Sequence, residues 1–376
     1  MKRHFYFAAL FAFTAFVAPL RAQSGPDIIW TTNAHQGSYG ISFSGNSALV
    51  VSGGGEQSVK VWSVTNGSLV RSFGIISTGP GSVGLSSNGS LVAAGMGNGQ
   101  FRMWRLSDGA LQWFSSPGGG GIYSLAFAPN DSYCANQTGD YINRRNPATG
   151  SGYIFSGHES TVHGVAFSPD STLLASASGD ATARIWRVSD GATLQILTGH
   201  GGGLYSVDFS PDGRFLATTS GDGTARLWNV TNGVCERIIE SGGDSAQFSA
   251  NGQLLLTLTD GLFQIWRVSD GQRVGTIVNT GAVKFDVAKN GQYFAYGTSG
   301  GDVVLARLPV TLDTITRTGN QTILHWQGGS GLYQLQSNTN FTTTGWQNLG
   351  PATTNTVATN VSPSTLFFRV QSLPNP

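Results

Sequence analysis

Three features of the sequence predict an all-β repeat protein. Glycine makes up 53 of 376 residues and charged residues only 11%, which leaves little for long charged helices and suits short strands joined by tight turns. Short apolar–polar alternations recur along the chain, punctuated by Asp-Gly and Asn-Gly pairs whose glycines admit the positive φ that tight turns need. One stretch, GDATARIWRVSDG at 179–191, is written again as GDGTARLWNVTNG from Gly221. Repetition at a fixed interval decides the architecture before any single residue does.

The chain opens with MKRHFYFAALFAFTAFVAPLRAQSG, in which Lys2 and Arg3 precede an uncharged run from Phe5 to Leu20. That is the layout of a secretory signal peptide over residues 1–22, and the run is short for a stable membrane span. No second long apolar stretch follows. The expectation is a mature protein that is secreted, periplasmic or at the cell surface, with no membrane span after signal cleavage. The leader holds Lys2, Arg3 and Arg21, so without it 18 of the 21 basic residues face 20 acidic ones. Such a balance offers nucleic acid no electrostatic footprint. The two cysteines, Cys134 and Cys235, fall at non-equivalent places in different repeats and should be unpaired, largely buried thiols.

Aligned on the Trp of the duplicated stretch, Trp62, Trp104, Trp186, Trp228 and Trp266 fall in register, with Arg145 and Ala306 in the two remaining places. The steps are 42, 41, 41, 42, 38 and 40 residues, giving seven units. Each unit holds four strand-like pieces; in the fifth these are LYSVDFS, RFLATTS, TARLWNV and VCERII. Seven four-stranded units predict a seven-bladed β-propeller over residues 27–310. Residues 27–32, followed by Ala34-His35, align with the fourth strand that precedes Gly199-His200, while their partners occur only in 282–308. The opening strand should therefore complete the last blade and leave no open edge. Beyond Pro309 the period stops. TILHW, LYQLQS, WQNLG, TVATNV and LFFRVQS read as strands of a small β-sandwich-like domain over 311–376.

The fourth and fifth units, GH…VAFSPD…LASASGDATARIW and GH…VDFSPDG…LATTSGDGTARLW, resemble the WD-repeat propellers. The Asp that usually follows the Trp is replaced by Ser63, Arg105, Arg187, Asn229 or Arg267. The resemblance implies a hydrogen-bonded tetrad of His158, Ser176, Asp180 and Trp186, and a second of His200, Thr218, Asp222 and Trp228. It also implies a platform for partners. The C-terminal stretch resembles the small immunoglobulin- or fibronectin-like modules that end some secreted bacterial proteins.

A nearby His, hydroxyl and Asp also suggest nucleophilic catalysis, which requires an accessible hydroxyl beside an oxyanion hole. Here the set recurs at the blade period, which favours a tie over a catalyst. At the Asp position the other units carry Glu56, Asn98, Gly139, Asp260 and Gly300, and only the first keeps a nearby His, His35. Such fading suits a packing motif. No catalytic residue, cofactor or metal is expected, since the six histidines lack ligand spacing. The glycine runs at 118–121 and 201–203 read as inter-blade turns. Lys60, Arg102, Arg184 and Arg226 lie on separate blades and read as solvated strand residues leaning on their neighbours.

The candidate binding surface is Tyr39, Tyr123, His163 and Tyr205, each four residues before the Phe that closes a first strand. Gly81, Asp244 and Val283 occupy that place in the other units. These positions should ring one mouth of the central channel, where aromatic groups with polar tips make good contacts. Alternatively their rings pack between blades, since they share strand parity with Val207 and Phe209. The expected function is a non-catalytic, extracytoplasmic protein-interaction scaffold for a protein or peptide partner. A glycan or cell-surface polymer is the alternative ligand. A secreted hydrolase or lyase stands behind both, because it would need convergent carboxylates or a metal at the mouth.

Overall fold

The computed structural model describes residues 4–8, 27–74, 78–116, 120–241, 243–278 and 280–308, together with strands between 311 and 372. Residues 1–3 and 9–22 of the expected leader, and Gly118 and Gly119 of the 118–121 turn, lie outside the described residues.

Seven four-stranded antiparallel sheets, numbered here as blades 1–7, follow one another along the chain. Their first strands are Ser38–Phe43, Pro80–Leu85, Leu125–Phe127, Val162–Phe167, Leu204–Phe209, Ser245–Phe248 and Ala282–Val287. These strands wall the central channel. Second strands lie inside the sheets and are buried along nearly their whole length, as in Leu173–Ser178 and Phe215–Ser220. That burial on both faces explains why they read as unbroken runs of small, apolar and hydroxyl residues. The core sits between sheets. Phe209, Leu216 and Trp228 of blade 5 pack with Ala175, Ala177 and Ile185 of blade 4, and each large side chain so buried contributes about 1.5–3 kcal/mol.

Blade 7 is assembled from both ends of the propeller. Asp27–Asn33 pairs antiparallel with Asp302–Arg307, from Asp27↔Arg307 to Asn33↔Asp302. Trp30 of this strand seals the seam: its indole N–H donates to the Val64 carbonyl at 3.0 Å. The ring lies over Gly67, where a Cβ would come within 2.9 Å of it. Gly67 also has φ +69°, so it meets both a close approach and a left-handed turn. Trp113 makes the same contact from blade 2, over Gly150 and onto the Pro147 carbonyl at 2.7 Å.

Beyond the propeller, Thr311–Thr318, Gln321–Gln327 and Thr356–Asn360 form a three-stranded antiparallel sheet. A second sheet has the order His4–Ala8, Phe367–Ser372, Tyr333–Asn338, Gln347–Asn348. The expected leader thus includes a strand, paired from Ala8↔Phe367 to His4↔Gln371. Neither cysteine is in a disulfide; Cys134 is buried, which pushes its thiol up to about 12, and Cys235 is half-buried.

Candidate binding face and its buried ties

In blade 4 the imidazole of His158 bridges two partners: Nδ1 lies 2.7 Å from Asp180 Oδ2 and Nε2 lies 2.7 Å from Ser176 Oγ. Trp186 Nε1 donates to the same Ser176 oxygen at 2.8 Å. Blade 5 repeats the arrangement, with His200 at 2.8 Å from both Asp222 and Thr218, and Trp228 donating to Thr218 at 2.8 Å. One proton order satisfies every group: indole to hydroxyl, hydroxyl to neutral imidazole, imidazole to carboxylate.

The ionisation states agree with that order. Burial lowers the pKa of His158 and of His200 from 6.5, against the opposing pull of Asp180 and Asp222. Burial also pushes the Asp180 carboxyl up, but hydrogen bonds from Thr182, His158 and the Glu159 N–H outweigh it and hold it at about 2. Asp222 is likewise held well below its ordinary range: burial is outweighed by the Gly201 N–H, His200 and Thr224. The hydroxyls of Ser176 and Thr218 are fully buried. The groups resemble a nucleophile system, yet the oxygen that would attack is sealed beneath a Trp.

Blade 1 differs from the sequence reading, which took Glu56 as a decayed position. His35 contacts Glu56 through Nδ1 and lies 2.8 Å from Ser52 through Nε2, and Trp62 donates to Ser52 at 2.8 Å. A third tetrad is therefore complete, with the longer Glu in place of Asp. The separation of ten residues between Ser52 and Trp62, the same as in blades 4 and 5, was the signal for it. Among the described residues of blade 6, these contacts reduce to the Trp266–Thr257 bond, at 3.0 Å. The basic residues lean on the indoles: the Arg184 and Arg226 guanidinium carbons lie 5.7 Å and 5.9 Å from the rings of Trp186 and Trp228. Lys60 instead bonds the Ala34 carbonyl and Glu56.

Three of the four proposed surface residues share a backbone cause. In blades 1, 4 and 5 the first-strand ladder slips between Ser38 and Gly40, Val162 and Gly164, and Leu204 and Ser206. Tyr39, His163 and Tyr205 are the residues left unpaired. Gly81 and Val283 occupy the same slip in blades 2 and 7. A bulge inserts one extra residue and re-aims its side chain, which breaks the parity that would have sent these rings between blades. Leu204 and Val207 are buried, whereas Tyr205 between them is 45% exposed. Tyr39 and Tyr123 are 52% and 55% exposed, the latter just before the first strand of blade 3. The rings rest on glycines: a Cβ on Gly81 would lie 2.8 Å from Tyr123, and one on Gly221 would lie 3.1 Å from the Tyr205 hydroxyl. His163 and Tyr205 lie side by side, with ring centroids 6.1 Å apart.

Two features of the channel were missed by sequence reasoning. Toward this mouth stands Lys284, whose charge lowers the pKa of His163 on blade 4, after the larger effect of burial, and which feels Asp244 on blade 6. Near the other end a cavity of about 500 Å³ is lined by Asp208, Gln247, Asp286 and Lys289 among apolar groups. There, Asp208, Gln247 and Asp286 each cap a backbone N–H on the channel edge of the next blade. Asp208 accepts from Phe248 at 2.9 Å, Gln247 from Val287 at 2.9 Å, and Asp286 from Phe43 at 2.6 Å. Burial raises both carboxyls, Asp208 to about 6, against the opposing charge of Lys289. Gly84, Ala126 and Ala166 hold the equivalent places on blades 2–4 and have no polar group to offer.

Among the described residues no group of three or more His, Cys, Asp and Glu is placed to hold a metal. The WD domain, G-beta repeat model matches residues 27–63, 150–187 and 191–229. Each matched segment spans one complete tetrad, and each takes in the strand that closes the preceding blade. A WD40 repeat-containing protein of Arabidopsis thaliana, HOS15, is 56% identical over 39 residues, which is 10% of this chain and 6% of that protein. The likeness to that relative is one repeat long. The sheets and the matched segments together establish that the chain carries WD40 repeats and folds as a seven-bladed β-propeller.

Proposed function

We propose that this protein is a non-catalytic interaction scaffold that works outside the cytoplasm and presents the bulge-bearing mouth of its channel to a protein or peptide. The exposure of Tyr39, Tyr123 and Tyr205 on three blades of one ring carries the reading. Exposed aromatics on a rigid support bury area at low entropy cost when a partner arrives. WD40 propellers are in general protein-interaction platforms, and the hydroxyl–imidazole–carboxylate sets here are spent inside the blades. Removal of residues 1–22 as a leader completes the proposal, with the strands beyond residue 310 acting as an immunoglobulin- or fibronectin-like second contact or tether. Among the described residues no helix is long and apolar enough to cross a membrane.

The test is recovery of partners from a cell-envelope extract by wild type and by a Tyr39→Ala/Tyr123→Ala/Tyr205→Ala variant. Loss of partners from the variant supports the face, and equal recovery removes it. The same tyrosines suit stacking on sugar rings. Retention on insoluble polysaccharide in place of protein would select that second reading, and turnover of a polymer by the pure protein would overturn the non-catalytic one.

A further inference from the structure

Three residues before the close of the first strand, six of the seven blades place Gly40, Ser82, Ser124, Gly164, Ser206 and Ser245, and blade 7 places Lys284. Small residues leave the lumen open there. The hydroxyls of Ser82, Ser124 and Ser206 are already committed to inter-blade bonds, with the Ile122 carbonyl, the Val165 N–H and the Ala246 carbonyl. Lys284 is the one long side chain at this level. It stands between exposed Val283 and buried Phe285 and is itself exposed. Its charge reaches His163 on blade 4, and Asp244 on blade 6 acts on it from a distance. Among the described residues it makes no ion pair or hydrogen bond. Its ammonium therefore has no counter-ion in contact, and a ligand anion would supply one.

We propose that the partner inserts one acidic side chain, Asp or Glu, into the channel mouth, where it pairs with the Lys284 ammonium while Tyr39, Tyr123 and Tyr205 cover its neighbours. The inference rests on the reading of this face as a peptide-binding surface. A single carboxylate fits better than a phosphate, because Lys284 supplies one positive charge and a dianion would leave its second charge unpaired in a channel that already holds Asp244.

The probe is a random-peptide display library selected against the full chain, scoring peptides that bind wild type but not the triple tyrosine variant. Such peptides are expected to share one fixed Asp or Glu. Changing it to Asn or Gln should weaken binding about tenfold or more, the scale of a charge-assisted hydrogen bond. Lys284→Met should bind the acid and amide forms alike, at the level of the amide. Asp244→Asn, a change at a separate position, should tighten the acid form and leave the amide form unchanged. Face-binding peptides without a fixed acid would sink this inference and leave the proposed function standing. So would a Lys284→Met protein that keeps the acid preference, or a phosphoserine peptide that binds more tightly than its Glu counterpart. Failure to recover any peptide that distinguishes wild type from the tyrosine variant would overturn both.

Discussion

Blade 5 carries the His200–Thr218–Asp222–Trp228 chain, whereas blade 7 has Gly300 and Ala306 at the Asp and Trp positions and draws its fourth strand from the other end of the propeller. Both reach the same four-stranded ladder. Where blade 5 ties loop, strand and turn with polar groups, the contact between blades 6 and 7 is aromatic: Phe263 meets Phe285 and Phe294 edge-on, at 5.1 Å and 5.2 Å. Blade 7 meets the loop entering blade 1 through its backbone, the Gly301 carbonyl accepting from Ala34 and His35 at 3.1 Å and 3.0 Å. A blade therefore needs its ladder and a filled interface; the tetrad is one way to fill it.

The comparison breaks first at the seam. Deleting residues 27–33 removes the closing ladder and the seat of Trp30, and should cost more than about 4 kcal/mol in chemical denaturation. A truncated chain of nearly wild-type stability would show that the ring closes without that strand. Next, Trp228→Ala removes a buried indole and opens a cavity, for about 3–5 kcal/mol. Asp222→Ala leaves His200, Thr224 and the Gly201 N–H short of an acceptor, for about 1–3 kcal/mol. Its counterpart in blade 7, Gly300→Ala, meets only the Thr298 hydroxyl at 3.7 Å and should change stability by no more than about 0.5 kcal/mol. Equal costs at 222 and 300 would erase the distinction between the blades.

Acid sharpens it further. The tetrad carboxyls have lowered pKa values, so their contribution is complete above about 4 and is lost as pH falls toward 2. The buried imidazoles, lowered from 6.5, stabilise the neutral-pH fold and cede that contribution as pH drops below 6.5. Asp208 runs the other way. Its raised pKa makes the folded state take up a proton more readily, so its contribution is present below about 4 and fades as pH rises through about 6. Asp208→Asn should therefore gain melting temperature relative to wild type at pH 8 and lose that advantage as pH falls to about 4; a pH-independent difference would refute the assignment. The smallest effect belongs to the mouth, where Tyr39→Ala, Tyr123→Ala and Tyr205→Ala should each shift stability by about 0.5 kcal/mol or less.

The period, the ring closure and the tetrads of blades 4 and 5 were legible because each is a spacing within one chain. Blade 1 escaped because Glu56 reaches His35 with one more methylene, a substitution that spacing alone reads as loss. The bulge has no residue signature, since Tyr205, Gly81 and Val283 all occupy it; only the ladder reveals that parity breaks there. Asp286 gave no hint of its partner, because Phe43 lies 243 residues away and meets it only once the ring has closed.

That closure also decides how the molecule bears load. Asp27 and Arg307 stand opposite each other at one end of the closing ladder, so the chain enters and leaves the propeller at a single point on the rim. A ring held there hangs from its edge. Tension between the two exits falls on one residue pair at a time and peels the strand away, which makes blade 7 the place where pulling would open the ring first.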